Sequence, residues 1–262
     1  MARYLDLNGN SLGTISALGR TSVIIKRDGK AIKTPRRLDT THMTDLQRSR
    51  EDDLLELNLE SIANEILVYG HLGRHNGILE VQTSGGVIEM PFMANGTLQN
   101  YLQTHQVDWR QKLYWIQGAA YTIHALHQKG VIHGDISTMN FLVADDNSIL
   151  LIDFGESVRL ETGPDGLNGF SIKTDLFQFG SLIFEIVTRQ KYVFDAREGG
   201  EDEDQQWPKN DELPNTKGIL LGELIQRCWV RDGFRDMLEV SNYLSAEMEG
   251  SRASQHVQGT KS

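Results

Sequence analysis

VIHGDISTMNFLV, residues 131–143, runs from an apolar segment into a short polar loop and out into another apolar segment. His133, Asp135 and Asn140 stand in that loop. A turn would explain it on local grounds, because Gly, Asp, Ser and Asn all favour turns. A second stretch argues against so plain a reading. ILLIDFGES, residues 149–157, again leads an apolar strand into a polar turn, and its Asp153 lies eighteen residues beyond Asp135. Twenty-two residues further on, KTDLFQFGSLIFEI (173–186) sets Asp175 at the start of a segment apolar nearly all round, as a helix buried at a domain centre would be.

Working outward toward the N-terminus, SVIIKRDGKAIK (22–33) places Asp28-Gly29 between two β-prone runs, a strong hairpin signal, and reads as a strand ending at Lys33. Residues 39–60 are charged and leucine-bearing, helical in propensity but ragged. SIANEILVYGHL (61–72) puts Ile62, Ile66 and Tyr69 on one helical face, with Glu65 on the same helix. GGVIEMPFM (85–93) reads as a strand ending at Pro91. Beyond a hinge at about 91–96 the pattern turns helical. In residues 107–130, Trp109, Leu113, Ile116, Ala120, Ile123 and Leu126 recur at helical spacing, with Asp108 as N-cap and Gly130 as C-cap.

Composition bounds the function. With 262 residues, 39% of them hydrophobic, the chain can bury a sizeable core. A single cysteine, Cys228, excludes an internal disulfide framework and suits a reducing, intracellular compartment, cytoplasmic or nuclear. A net charge of −10 argues against a nucleic-acid or anionic-membrane binder. No apolar run approaches the ~18 residues that span a bilayer, and none near the N-terminus has signal-peptide length. EGGEDEDQQ (198–206) has the composition of a solvated loop, and the end of the chain that of a disordered tail.

The order strand-Lys33, helix-Glu65, hinge, His133-x-Asp135-x4-Asn140, Asp153-Phe-Gly and Asp175-x3-Phe-Gly resembles the eukaryotic protein-kinase family, over roughly residues 12–247. The resemblance implies an α+β, two-lobed fold: a small β-rich N-lobe at 1–94, a larger helical C-lobe at 95–247 and a disordered tail at 248–262. It also implies ATP and Mg2+, phosphoryl transfer to a hydroxyl of a protein substrate (Ser/Thr by default), and a monomer with no nucleic-acid or membrane partner. Lys33 would hold the α- and β-phosphates with Glu65 orienting it, Asp135 would accept the hydroxyl's hydrogen bond, and Asn140 and Asp153 would ligate the metal. Met90 aligns as the residue at the back of the adenine pocket. The Pro91 carbonyl and the Met93 N–H align as the adenine contacts.

The departures are as specific as the matches. The glycine-rich phosphate loop is reduced to SALGRTSV (16–23), with Gly19 its one glycine. Ser137 and Met139 stand where the family places a basic residue after the catalytic Asp, and Gly134 replaces the Arg that receives an activation-loop phosphate. Asp175 follows Asp153 by only 22 positions, no Ala-Pro-Glu occurs, and the Arg that would pair with it aligns as Arg235. A kinase not switched through its activation loop is the leading expectation. A pseudokinase binding nucleotide or acting as a scaffold is the alternative. A small-molecule phosphotransferase, which HGD followed by Asn140 also resembles, stands third.

Overall fold

The computed structural model describes residues 2–160, 171–193, 207–209 and 211–247. The tail at 248–262 and the acidic stretch at 198–206 lie outside the described residues. The fold is α+β, in two compact units: Met1–Ala94 with Ile152–Ser157, and Asn95–Leu151 with the residues from Val158 onward.

The first unit is an antiparallel sheet with one long helix. Strands β1 (Ala17–Leu18), β2 (Ser22–Arg27), β3 (Lys30–Pro35), β4 (Gln82–Ser84) and β5 (Val87–Pro91) are ordered β1-β2-β3-β5-β4. Asp28 and Gly29, at φ +50° and +75°, form the expected two-residue hairpin turn. Gly85 and Gly86 make a second such turn, at φ +57° and +77°, and do not belong to the strand that follows. Period-2 alternation buries Val23 and Ile25 on β2 and Ala31 and Lys33 on β3. Lys33 is therefore inside β3, not at its end, and pairs with Ile88 across the ladder.

Helix α1 runs unbroken over Asp45–Leu72, so the raggedness expected at 39–60 does not extend past residue 45. Thr44 and Gln47 form a reciprocal capping box that fixes its start. The difference has a physical cause. The helix buries only Asn58 and the later Ile62, Glu65, Val68, Tyr69 and Leu72, while Leu46, Leu54 and Leu57 face solvent. Its first half has no apolar stripe to read.

The second unit is mostly helical. It comprises α2 (Leu98–Thr104), α3 (Trp109–Gln128), short strands β6 (Val131–Ile132), β7 (Phe141–Val143), β8 (Ile149–Leu151) and β9 (Val158–Arg159), then α4 (Ile172–Thr188), α5 (Gly222–Trp229) and α6 (237–247). β6 pairs with β9, and β7 with β8. Asp108 caps α3 by accepting the Gln111 N–H at 2.8 Å, and Leu113, Ile116, Ala120, Ile123 and Leu126 are buried as the pattern requires. Trp109 is not: as the first helical residue it remains 43% exposed. The C-cap is Lys129, and Gly130 follows it at φ +68°. α4 is the centre of this unit, with Leu176, Phe177, Phe179, Leu182, Ile183, Phe184 and Ile186 buried. A Cβ on Gly180 would stand 2.7 Å from the Cβ of Cys228, so only glycine lets α4 and α5 approach this closely. The Cys228 thiol is pushed far above its ordinary range by burial, which makes it inert packing. Among the described residues, no helix is long and apolar enough to cross a membrane.

Candidate active site

In the first unit, three elements distant in sequence converge on one ammonium. Lys33 Nζ donates to Glu65 Oε2 at 2.6 Å and to Asp153 Oδ1 at 2.8 Å. The Lys33 and Glu65 side chains are 6% and 1% exposed, Asp153 43%. Burial pulls the Lys33 pKa down, but the Glu65 and Asp153 charges outweigh it and leave it raised. For Glu65 burial wins: it pushes the carboxyl up to about 6, against the pull of Lys33 and with the Asp153 charge adding to the rise. Near neutral pH the three form one cation between two anions. Such a buried pair contributes little net stability, because desolvation offsets the attraction.

Polar residues of α1 anchor the Asp153 segment. Asn64 Nδ2 donates to the carbonyls of Phe154, Gly155 and Ser157, at 3.3, 3.2 and 2.8 Å. Tyr69 lies edge-on to Phe154 with ring centroids 4.9 Å apart. A Cβ on Gly155 would come within 2.5 Å of Ser61 Oγ, so the segment approaches α1 where only glycine fits. Asp153 itself has φ +67°, a strained setting for a non-glycine residue that is held by these surroundings. The sequence reading missed Asn64 and Ser61. On a helix face they look like solvated polar residues, and nothing local reports what they meet.

The other first-unit candidates stay on their own strands. Met90 is buried and pairs with Ala31, and Pro91 closes β5 opposite Lys30. The Phe92 N–H donates to the Gly29 carbonyl at 3.2 Å, and Met93 follows, half-buried. Gly19 turns the chain between β1 and β2, its N–H donating to the Ser22 carbonyl at 2.8 Å. Beside it, the Arg20 guanidinium is ion-paired with Glu156.

In the second unit, α4 holds the loop that follows β6. Asp175, fully buried, accepts from the backbone N–H of His133 (Oδ2, 2.9 Å) and of Gly134 (Oδ1, 2.9 Å). His127 Nε2 lies 2.8 Å from the same Oδ2. Gln178 accepts from the Ile136 N–H at 2.8 Å and donates to the Gly134 carbonyl at 2.8 Å. Thr138 Oγ1 donates to Glu185 Oε2 at 2.7 Å. His133 is a buried scaffold residue, its Nδ1 accepting from the Asp135 N–H at 3.2 Å. Gly134 has φ +79°, so the backbone favours glycine here, whatever else the absence of an Arg implies.

Within this loop, Asp135 is exposed and Asn140 buried beside it. Asn140 Nδ2 donates to the Asp135 carbonyl at 2.8 Å and to Asp135 Oδ2 at 2.9 Å. With Nδ2 so engaged, the Asn140 Oδ1 is the atom left for a cation. A hard amide oxygen of this kind, like the Asp153 carboxylate of the first unit taken by itself, is a donor type that suits Mg2+. Among the described residues, no group of three or more His, Cys, Asp or Glu could hold a metal by itself. Arg235 is 78% exposed and pairs with its neighbours Asp236 (3.4 Å) and Glu239 (3.2 Å), so its charge is taken up locally.

Comparison with known proteins bears on the family. A family model for protein tyrosine and serine/threonine kinases matches residues 48–166. The chain is similar to a leaf rust 10 disease-resistance locus receptor-like protein kinase-like 1.4 of Arabidopsis thaliana, at 24% identity over 64% of this chain and 28% of that protein. It is similar to an RGS domain-containing serine/threonine-protein kinase A of Dictyostelium discoideum, at 24% identity over 52% of this chain and 14% of the relative. It also matches the human tyrosine-protein kinase FRK, at 28% identity over 52% of this chain and 32% of the relative. The chain thus spans about a third or less of each relative's length. Motif order, fold and matches together support a protein kinase-like family.

Proposed function

We propose that the protein is an ATP- and Mg2+-dependent protein kinase that phosphorylates a protein hydroxyl, Ser or Thr, without an activation-loop switch. The observation that supports this most is the buried Lys33–Glu65 pair reaching Asp153. Burying those charges brings little stability, which leaves their use in binding phosphates as the physical reason for them.

Bound ATP would supply the γ-phosphoryl group, whose charge a bound Mg2+ would neutralise. Lys33, oriented by Glu65, holds the α- and β-phosphates. Gly19 turns the loop that covers them, and the Pro91 carbonyl and Met93 N–H hold adenine. Asp153 and Asn140 would be the residues to offer a metal hard oxygens. Asp135 takes the acceptor hydroxyl's proton as the new O–P bond forms and the bond from phosphorus to the β–γ bridging oxygen breaks, releasing ADP. The pseudokinase reading draws on Ser137 and the glycine-poor turn at Gly19.

Mg2+-dependent ATP turnover of the purified protein decides between the two. Turnover should be present in the wild type and fall at least a hundredfold in Asp135→Asn, since general-base contributions are typically about 10²–10⁴-fold. ATP-dependent melting shifts that persist without any turnover would instead establish the pseudokinase.

A further inference from the structure

Phosphoryl transfer beside Asp135 needs positive charge facing the transferred group, yet the flanking loop residues Ser137 and Met139 are neutral. A cavity of about 130 Å³ opens beside this loop. It is lined by Asp135 and Ser137, by Ser181 and Glu185 of α4, and by Lys191 and Tyr192, which follow α4. Among the described residues lining it, Lys191 is the one cation. Glu185 is already occupied by neutral donors, Thr138 at 2.7 Å and Gln99 at 3.3 Å, and Lys191 is exposed. A hydroxymethyl group at 137 leaves the cavity open. A space of that volume is roughly 6 Å across, which a lysine's flexible four-carbon stem can span.

We propose that Lys191 is the missing cation, a catalytic residue whose ammonium enters this cavity to face the phosphoryl group while it passes to the acceptor oxygen. The proposal rests on the phosphotransfer reading above. Lys191 gives up no proton. Asp135 receives that of the hydroxyl, the bond from phosphorus to ADP breaks as the new one forms, and the ammonium neutralises the equatorial oxygens meanwhile. Stabilisation confined to the transition state lowers kcat when removed and leaves ATP binding unchanged. The site therefore draws its positive charge from a segment remote from the loop in sequence.

The test is a rescue. Lys191→Met should lower kcat tenfold or more with KM for ATP changed less than twofold, and Lys191→Arg should retain most of the rate. Adding Ser137→Lys to Lys191→Met should restore at least a third of wild-type kcat. A second readout needs no turnover. Mg-ADP with aluminium fluoride, which mimics the transferred group, should raise the wild-type melting temperature above Mg-ADP alone, and Lys191→Met should lose that increment only. Unchanged kcat in Lys191→Met, with turnover still lost in Asp135→Asn, overturns the role of Lys191 and leaves the kinase reading standing. Absence of turnover in the wild type, with no fluoride increment, overturns both.

Discussion

The two units organise their candidate residues by different physics. In the first, Lys33, Glu65 and Asp153 come from a strand, a helix and a loop and meet through charge, the first two buried. In the second, Asp135 and Asn140 sit on a loop fixed by neutral backbone donors and by side chains of the single helix α4. Charge convergence is costly to build and adjustable by protonation. A hydrogen-bonded brace is cheap once the helix is buried. Damage to the two should therefore look different: the brace should fail as lost stability, the charge cluster as lost function.

The largest effect is expected at the brace. Asp175→Ala removes the acceptor of two buried backbone N–H groups and leaves the His127 ring unpaired. Stranding buried donors costs about 1–3 kcal/mol each, so urea unfolding should show a loss of at least about 3 kcal/mol, and turnover should vanish with the loop's geometry. A variant as stable as wild type would show that α4 does not organise the loop through Asp175.

The charge cluster should respond in the opposite way. Burial lifts the Glu65 carboxyl to about 6, above its ordinary 4.5, so the folded protein binds a proton there more readily than the unfolded chain. The contribution of this group to stability is then fully present below about 4.5 and is lost as pH rises through about 6. Turnover runs the other way and should fall as pH drops below about 6, where Lys33 loses its charged partner. Glu65→Gln should lower turnover about tenfold or more at neutral pH while changing stability by less than about 1 kcal/mol, since a neutral isostere avoids the burial cost. A large loss of stability in this variant would put both units under the same rule.

Legibility in the sequence follows the same division. Helix α4 and the Asp28-Gly29 hairpin were readable because local pattern determines them: an apolar run headed by Asp175, and a turn that needs two left-handed residues. The start of α1 carried a signal that went unread, the Thr44-x-x-Gln47 box, and apolar periodicity was the wrong signal there because that half of the helix buries almost nothing. What the sequence could not yield was contact made at a distance. Asn64 and Ser61 look like surface polar residues until the 153–157 segment folds onto them. Lys191 looks like a solvated charge, and nothing local reports that it lines the same cavity as Asp135. Gly134 reads as the loss of a phosphate-sensing Arg, and the backbone at φ +79° adds a reason of its own for the glycine.

That same glycine governs the smallest expected effect, the response to phosphorylation between Asp153 and Asp175. Within residues 154–173 the hydroxyls are those of Ser157, Thr162 and Ser171. Thr162 lies outside the described residues. Ser157 is only 4% exposed, so it is a buried residue rather than a surface acceptor. Ser171 caps α4 by accepting from the Lys173 and Thr174 N–H groups. A phosphate there would meet the positive end of a helix and keep that end in place. An ordering switch needs an Arg to receive the phosphate, and at 134 the chain has a glycine. Introducing Gly134→Arg would force a side chain onto left-handed backbone, a strain of about 1–2 kcal/mol, so that variant tests the backbone as much as the switch. Phosphatase treatment of the wild-type protein avoids the difficulty. ATP turnover should change less than about threefold, well under 1 kcal/mol in activation free energy. A tenfold loss would mean that a phosphate orders the site through some cation other than the one missing at 134, and the second unit would then depend on charge as much as the first.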